Sequence, residues 1–371
     1  MKVSVATTTY NHEKFIVQAL ESVLMQKVNF DYEFVIVEDC STDRTREIVI
    51  DYQSRYPDVI RLILPEVNKG ENWTWIKSME ACQGEYIALF HGDDYWTSAD
   101  KLQKQVDFLD HHPECSLCFH NALFIYEDQN HSPHNFCFPE QKRITTTEDL
   151  LETNYINTSS VMFRNGLVTE FPEWYYKLPV GDFPLFILLS EHGKIGYIDK
   201  VMTAYRVHPA GSWSGSSFPR RIQNYFIVRD TINAYFRYQY DDIIMKAKDK
   251  NVDHLAIDLI RQTAINYSLE HGMTKIHEVF DDWPDGVPLN KTWEKRVLGK
   301  FCAYYLFASH KSQDFGVMRS SFVNLLRNDP SWLKNRYVWS AGMQAFLGRK
   351  VSAMVRQRVR WIKARTAKNH T

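Results

Sequence analysis

The sequence predicts an α/β fold, a mostly parallel sheet flanked by helices, followed by a mainly helical C-terminal region. Over the first 125 residues, short apolar runs alternate with amphipathic segments of helical length, which indicates successive βαβ units. Beyond residue 217 the helical pattern continues to the end of the chain. Because 371 residues exceed one average domain, we expect two, 1–217 and 218–371. The Gly/Ser-rich stretch Pro209–Ser217 is predicted as their boundary.

The N-terminal elements follow one another in a regular order. Five apolar runs are predicted as strands: Val3–Ala6, Phe34–Val37, Ile60–Leu64, Tyr86–Phe90 and Ser116–Ile125. Four amphipathic segments between them are predicted as helices: His12–Gln26, Thr42–Tyr56, Glu71–Cys82 and Ala99–His111. Ser41 or Thr42 is expected to cap the second helix and Ser98 the fourth, because short polar side chains accept bonds from free N–H groups there. This alternation favours parallel strand pairing.

The later elements are shorter or purely helical. Residues 126–145 are polar and rich in turn residues, which predicts a long loop or hairpin region. Thr146–His208 contains brief apolar segments such as "SSVMFR" and "KIGYIDKVMTAYRVH". In the C-terminal region, breaks in the helical pattern are predicted around Asp281–Pro288 and Asn328–Pro330.

Charge and composition restrict the class of protein. With 44% hydrophobic and 24% charged residues, the chain has the balance of a soluble globular protein. The net charge of -1 is uneven, since residues 348–371 hold eight Lys/Arg and no Asp/Glu, which leaves -9 on residues 1–347. This acidic body disfavours nucleic-acid binding, whereas the basic tail indicates an anionic surface as its partner.

Cysteine usage and hydropathy predict a cytoplasmic location. The six cysteines are scattered, and the pair Cys115 and Cys118 has no second pair to complete a zinc site. They are interpreted as reduced thiols. A strand that begins at Val3 leaves no room for the apolar segment of a signal peptide. The chain also lacks an apolar run of the roughly 18 residues that a membrane span requires.

Polar residues follow four of the predicted strands at the point where each strand ends. These segments are Thr8–Asn11, Glu38–Asp39, Asn68–Gly70 and His91–Asp94. In open parallel sheets, ligands bind in the crevice beyond the carboxyl ends of the strands. We therefore expect these four segments to converge on one rim, which is the main functional signal in the sequence.

The segment "YIALFHGDD" places two adjacent carboxylates directly after a buried strand. Gly92 is expected to let the backbone turn off the strand, which puts Asp93 and Asp94 at the mouth of the crevice. Carboxylate oxygens on a rigid support suit a hard divalent cation that completes its shell with water and phosphate oxygens. Alternatively, the aspartates begin the next helix, where acidic groups favour the N-terminal dipole. That alternative is a serious competitor for Asp94.

Other rim residues favour a nucleotide over a dinucleotide or a P-loop ligand. Asp39 follows Glu38 at a strand end, which favours a contact to a base or ribose over a simple turn. The chain contains neither GxGxxG nor GxxxxGK[ST], which disfavours dinucleotide oxidoreductases and P-loop ATPases. From spacing alone, Asp182 in "VGDFPLF" is predicted to be a helix N-cap. His208 by itself is expected to be structural or solvated.

Five segments together resemble bacterial family-2 glycosyltransferases with the GT-A fold. They are "VSVATTTYNHEKFIVQALESVLMQ", "FVIVEDCSTDRT", "NKGENW", "GEYIALFHGDDYWTSADKLQKQ" and "YRVHPAGSWSG". The resemblance covers about residues 1–217, and the C-terminal third adds no motif of the family. It implies transfer of a sugar from a nucleotide-diphosphate donor, most often UDP-linked, with inversion at the anomeric carbon.

The resemblance assigns the donor site residue by residue. Thr8, Tyr10 and Asp39 would hold the nucleoside, and Lys69 and Gly70 would lie near the nucleotide. Asp94 is assigned to the same donor site.

The resemblance also assigns a metal site and a base. Asp93 matches the last acid of the family's DxD element and would bind Mg²⁺ or Mn²⁺. Asp182 falls where such enzymes keep the catalytic base, which replaces the N-cap interpretation. His208 resembles a histidine that closes over the metal–diphosphate. His91 stands at the first DxD position, where the family has an acid, and an imidazole suits softer metals better than Mg²⁺. His91 is therefore assigned either to the metal or to ribose or a bound water.

The predicted acceptor is a saccharide or a lipid-linked sugar. The basic tail provides information about where the protein is located in the cell. Residues 348–371 interleave basic and apolar side chains, as interfacial membrane helices do. A peripheral position on the cytoplasmic face and a solvated or oligomer-packing terminal helix both fit this pattern. Two other functions stay open: a nucleotidyltransferase of related fold, and a non-catalytic nucleotide- or carbohydrate-binding protein.

Overall fold

The computed structural model describes residues 1–127, 131–264, 268–281 and 291–348. They form two compact units. The first consists of Met1–Ser217 together with Ile227–Ala247, and the second of Phe218–Phe226 together with the described residues from Lys248 onward. The limits 1–217 and 218–371 for two domains stay a prediction.

The first unit is built on a single mixed sheet. Its strands are β1 (Val3–Thr9), β2 (Tyr32–Glu38), β3 (Ile60–Ile63), β4 (Tyr86–His91), β5 (Tyr95–Trp96), β6 (Cys115–Tyr126), β7 (His134–Asn135), β8 (Ile144–Thr145), β9 (Met162–Arg164) and β10 (Lys194–Val207). The order is β3-β2-β1-β4-β9-β6-β10-β5, with β7 beside β6 and β8 beside β10. Strands β1 to β4 pair in parallel, as do β6 and β10, whereas β9 and β5 are antiparallel to their neighbours. The predicted α/β fold with a mostly parallel sheet is confirmed.

Helices cover this sheet. They are α1 (Ile16–Leu24), α2 (Thr45–Arg55), α3 (Glu71–Glu80), α4 (Lys101–His111), α5 (Thr147–Glu152) and α6 (Asp182–Ser190), with short 3-10 helices at Thr158–Ser160 and Tyr175–Lys177. One core lies where the apolar sides of α1, α2 and α4 meet β1, β2 and β4, and it includes Leu20, Phe34 and Phe90. Burial of these strands on both faces explains why they read as nearly continuous apolar runs.

The predicted helix caps were wrong. Helix α2 begins only at Thr45, whose N–H is bonded by Asp43, while the Ser41 hydroxyl accepts a bond from the N–H of Asn11. Helix α4 begins at Lys101, and the hydroxyl of Ser98 bonds to a carboxylate instead of a helix N–H. Ser41 thus bonds to a loop distant in sequence, whereas Ser98 bonds to Asp100, two residues further along its own loop.

The alternative that Asp93 and Asp94 begin a helix was also wrong. Strand β5 and a loop follow them, and α4 starts seven residues later, at Lys101. Gly92 lies in the predicted turn off β4, in which the N–H of Asp94 bonds to the carbonyl of His91 at 3.2 Å. It is also required for close approach, since a Cβ there would lie 2.5 Å from Oγ1 of Thr9. The carboxylates therefore belong to a loop between two strands.

The region after β10, which includes the second unit, is helical, as expected. The helices after β10 are α7 (Phe218–Tyr235), α8 (Asp241–Ala264), α9 (Leu269–Asp281), α10 (Lys291–Ser312) and α11 (Phe315–Asn328), then a 3-10 helix (Pro330–Lys334) and a helix that begins at residue 336. The core of the unit includes Leu255, Phe301 and Leu325. The predicted break at Asn328–Pro330 matches the end of α11, because Asp329 caps the following 3-10 helix. Within the described residues, none of the helices combines the length and apolar character of a membrane span.

Two predictions from the sequence concern residues outside this description. The basic amphipathic tail falls almost wholly on residues 349–371, and the break predicted after Asp281 falls largely on residues 282–290.

The first residue of α4, Lys101, has its side chain buried in the core. Lys101 is 0% exposed, and its Nζ lies 2.7 Å from Oε1 of Gln105 and 3.9 Å from the centre of the Trp96 ring. Burial lowers the pKa of Lys101 to about 7. The unfolded chain, whose lysine keeps its ordinary pKa, binds more protons than the folded chain between these values. Stability therefore rises with pH across this window.

We predict that Lys101→Met abolishes this rise. The unfolding free energy of the wild type should rise by about 2 kcal/mol relative to that of Lys101→Met from about pH 7 to about pH 9. Only the wild type has a lysine here that must lose its proton on folding, and this loss costs less free energy as the pH rises. Urea unfolding of both proteins at the two pH values measures it. A difference that stays constant with pH would show that Lys101 is protonated in the folded chain throughout.

Candidate active site

The carboxyl ends of three parallel strands meet at one edge of the sheet. In the register, Thr8 of β1 is paired with Val37 of β2 on one side and with His91 of β4 on the other. The Thr8 hydroxyl lies 3.1 Å from Nδ1 of His91. Tyr10, just beyond β1, is 42% exposed, so its ring is free to contact a ligand. The parallel pairing thus brings the predicted rim segments of β1, β2 and β4 side by side.

Asp39 ties the end of β2 to the start of α3. Its two carboxylate oxygens accept bonds from the N–H groups of Lys69 (2.7 Å) and Gly70 (2.9 Å). The side chain of Asn68 donates to the carbonyl of Asp39 at 3.0 Å. Asp39 is only 4% exposed, so its carboxylate is held rigidly. The fourth rim segment, Asn68–Gly70, is therefore joined to the other three through Asp39.

Asp93 lies among histidines. Its Oδ2 is 3.2 Å from Nε2 of His208 and 3.9 Å from Nε2 of His12. Burial alone would raise the pKa of Asp93, but the bond with His208 and the nearby imidazoles of His12 and His91 hold that pKa well below its usual range. The structure thus brings Asp93 and His208 together, and it adds His12, which the sequence analysis missed.

Asp94 points the other way. It is 1% exposed, and its carboxylate accepts bonds from the hydroxyl of Ser159 and from the N–H of Arg206 at 3.0 Å. Burial and the negative charge of Asp93 raise the pKa of Asp94. The donor contact predicted for Asp94 does not fit this orientation, because the carboxylate is buried and both of its oxygens already accept bonds, from Ser159 and Arg206.

Arg206 holds the Asp93–Asp94 loop against β10. Its Nε donates to the carbonyl of Asp93 at 2.7 Å, and its guanidinium lies over the rings of Phe15 and Tyr95. A further nitrogen donates to the side chain of Gln18. The loop carrying the two carboxylates is thereby fixed through its backbone, its side chains and aromatic packing.

Asp182 is the first residue of α6. The N-cap position belongs to Gly181, so the capping role predicted from spacing alone was off by one residue. Oδ2 of Asp182 accepts a bond from the hydroxyl of Thr158 (2.6 Å), and Oδ1 accepts one from the N–H of Phe183 (2.7 Å). Beyond Asp182 the helix is buried along its whole length. The carboxylate is therefore presented from a rigid support.

Glu71, in the first turn of α3, lies near both Asp93 and Asp182. Partial desolvation raises the pKa of Glu71, although its side chain is exposed, and the negative charges of Asp182 and Asp93 add to this effect, while His91 opposes it. Both aspartates are therefore close enough to Glu71 for their charges to act on it. The side chain also bonds with Ser212 in the Gly/Ser-rich loop. The sequence analysis missed Glu71, although it directly follows the predicted pair Lys69 and Gly70.

The protein offers few metal ligands of its own. Among the described residues, no group of three or more His, Cys, Asp or Glu side chains is arranged to hold a metal ion. Asp93 and His208 supply one carboxylate and one imidazole. Mg²⁺ typically takes one or two protein carboxylates and completes its shell with water and substrate phosphates, so this sparse set fits such an ion only together with a phosphate ligand.

Comparison with known proteins gives one family. The model of the family described as "Glycosyl transferase family 2" matches residues 4–169. TuaG of Bacillus subtilis, named as a teichuronic acid biosynthesis glycosyltransferase, is 30% identical over 179 residues, which cover 45% of this chain and 69% of TuaG. An uncharacterized protein of Mycobacterium tuberculosis is 37% identical over 224 residues, 59% of this chain. The chain covers 62% of that relative's length, less than two thirds.

A solved structure shares the fold. The crystal structure of Staphylococcus aureus TarS residues 1–349, in complex with UDP-GlcNAc, matches with a TM-score of 0.56 at 19% identity. The match covers 89% of this chain and 92% of that one. At 19% identity, this similarity shows that the two chains share a fold.

Removal of the Arg206 guanidinium should destabilise the chain. We expect Arg206→Met to lower the unfolding free energy by about 1 to 3 kcal/mol, because the buried loop loses its charged donor. Arg44→Met is the matched control: Arg44 pairs with Glu47 on the surface and is 76% exposed, so its loss should cost less than about 1 kcal/mol. Chemical denaturation measures both. Equal losses would contradict the holding role of Arg206.

Proposed function

The chain belongs to glycosyl transferase family 2 and has the GT-A fold, and from this premise we propose that it is an inverting, metal-dependent glycosyltransferase. It moves a sugar from a nucleotide-diphosphate donor, with UDP as the nucleotide, to a hydroxyl of a saccharide or lipid-linked acceptor. The process it serves is cell-surface polysaccharide synthesis, in line with the name of TuaG. The observation that supports the proposal is the arrangement at the carboxyl ends of β1 and β4. There Asp93 lies 3.2 Å from His208, and Trp75 contacts both His91 and the backbone of Gly181, the residue before Asp182.

The donor is held at the edge where β1, β2 and β4 end. In this proposal Thr8, Tyr10 and Asp39 contact the nucleoside, and the backbone at Lys69 and Gly70 lies beside it. Asp39 keeps lone pairs available after accepting its two backbone bonds, since each carboxylate oxygen can accept more than one. The UDP-GlcNAc bound by TarS is an example of the ligand class.

Asp93 and His208 would hold Mg²⁺ or Mn²⁺. When bound, the ion supplies Lewis-acid neutralisation of the charge that develops on the departing diphosphate. The low pKa of Asp93 keeps its carboxylate ionised and ready as a ligand. His91, bonded to Thr8 and placed beside the cleft, is assigned to the ribose or a bound water. Asp94 is assigned a supporting role, because its bonds to Ser159 and Arg206 orient the loop.

Asp182 is the general base. Its carboxylate takes the proton from the acceptor hydroxyl as that oxygen attacks the anomeric carbon from the face opposite the leaving group. The bonds from Thr158 and from the N–H of Phe183 orient the carboxylate while leaving lone pairs for the acceptor. An inverting glycosidase needs a second carboxyl group to protonate its leaving group, whereas a diphosphate leaves without protonation.

Asp182→Asn should abolish transfer while preserving donor binding. We expect kcat to fall by about 10² to 10⁴, because a carboxamide cannot accept the proton, with donor affinity within about threefold. Turnover with a panel of nucleotide sugars, with and without EDTA, measures the effect. Chelation should stop the reaction, and Mn²⁺ or Mg²⁺ should restore it.

The same assay separates the alternatives. Turnover that survives both EDTA and Asp182→Asn would overturn the mechanism. Binding of nucleotide sugars without turnover in the wild type would establish the non-catalytic binding protein. Release of pyrophosphate from a nucleoside triphosphate and a sugar phosphate would establish the nucleotidyltransferase.

We also propose that the protein acts at the cytoplasmic face of the membrane through residues 348–371. Full-length protein should float with anionic liposomes and lose this ability in a 1–347 truncation and at high salt, since the eight basic residues act electrostatically. Neutral liposomes are the control. Equal flotation of the two proteins would remove the membrane claim and favour an oligomer-packing tail, which light scattering would then test.

A further inference from the structure

A buried pair of aromatic residues connects α3 to the start of α6. Nε1 of Trp75 donates to the hydroxyl oxygen of Tyr175 at 2.9 Å, and the Tyr175 hydroxyl donates to the carbonyl of Gly181 at 2.5 Å. Gly181 immediately precedes Asp182. Trp75 is 4% exposed and Tyr175 is 2% exposed, so water does not compete for these bonds.

The other side of Trp75 faces the donor edge of the sheet. Its ring is stacked on the imidazole of His91, with centroids 5.5 Å apart and planes inclined by 17°. His91 in turn contacts the hydroxyl of Thr8. A continuous set of contacts therefore runs from the end of β1 and β4, through Trp75 and Tyr175, to the residue before the proposed base.

Packing as well as hydrogen bonding joins α3 to the segment that precedes Asp182. A Cβ at Gly181 would lie 2.8 Å from Cδ1 of Trp75, so the indole rests directly against the backbone and excludes any larger residue. Asn72, in the first turn of α3, donates to the carbonyls of Tyr176 (3.2 Å) and Leu178 (2.9 Å). The segment that leads to Asp182 is thus docked on α3 at more than one point.

We propose that Trp75 and Tyr175 are positioning residues that set the place of Asp182 relative to the donor edge. The inference rests on the proposed function, in which Asp182 must meet an acceptor beside the donor sugar. Displacement of a reacting group by about 1 Å can cost about a hundredfold in rate. Burial raises the pKa of Tyr175, so its hydroxyl keeps the proton that it donates to Gly181.

The Tyr175→Phe variant tests the inference with a matched control. We expect kcat to fall about tenfold or more with donor KM within about twofold, because the donor site on β1, β2 and α3 is untouched. Tyr155→Phe is the control, since its hydroxyl donates to Thr145 at 2.6 Å away from the cleft. Both variants should lose thermal stability, but Tyr155→Phe should keep its kcat. Equal effects of the two variants on kcat would overturn the inference.

A double-mutant cycle separates positioning from general damage. Trp75→Phe keeps an aromatic ring beside His91 and removes the indole N–H. If Trp75 and Tyr175 act as one unit, kcat of Trp75→Phe/Tyr175→Phe should be no lower than that of Tyr175→Phe. If the fold-reductions in kcat of the two single variants multiply in the double variant, the two residues act independently, which contradicts the proposed connection.

A structural readout distinguishes failure of this inference from failure of the proposed function. If the wild type transfers no sugar from any donor, the proposed function fails, and the crystal structures of wild type and Tyr175→Phe decide the positioning role. A displaced Asp182 carboxylate that has lost its bond to Thr158 supports that role. Superimposable Asp182 side chains overturn it.

Discussion

The site depends on the compensation of a negative charge at the end of a buried strand. An enclosed carboxylate is costly unless charged or polar groups surround it. For Asp93 those groups come from distant parts of the chain: His12 follows β1, and His208 follows β10. Compensation therefore brings the last strand of the sheet back to the loop after β4. Arg206, near the end of β10, also holds the same loop through the carbonyl of Asp93.

Helix α3 organises the rest of the cleft. Its start is fixed by the bonds of Lys69 and Gly70 to Asp39, and Glu71 in its first turn lies close enough to Asp93 and Asp182 for their charges to raise its pKa. In the middle of the helix, Trp75 lies between His91 and the turn before Asp182. One short helix thus contacts the nucleoside side, the diphosphate side and the base side of the proposed site. The packing of α3 gives a physical reason for the alignment of these three parts of the proposed site.

Much of the fold could be predicted because burial leaves a pattern in the sequence. Five apolar runs marked β1, β2, β3, β4 and β6 to within three residues at either end, since strands covered on both faces must be apolar throughout. Helix starts were less predictable. Ser41 and Ser98 have the right chemistry for caps but bond elsewhere. The partner of Ser41, Asn11, lies in a loop that meets it only after folding, and Ser98 bonds to the nearby side chain of Asp100 instead of a helix N–H. Strands β5 and β7 are two residues long, which is too short to show the alternation of apolar and polar residues by which strands are predicted.

The sequence by itself determined the parallel sheet, and hence that Thr8, Asp39, Lys69 and Asp93 lie along one edge, because parallel strands bring their carboxyl ends together. It did not determine which way each side chain points. Asp93 and Asp94 are neighbours in the chain, yet one faces the histidines and the other is buried against Ser159. Nor did it reveal Glu71, His12 or the contact of Trp75 with Tyr175, which spans 100 residues. Those features depend on long-range packing, and only the tertiary structure brings their partners within bonding distance.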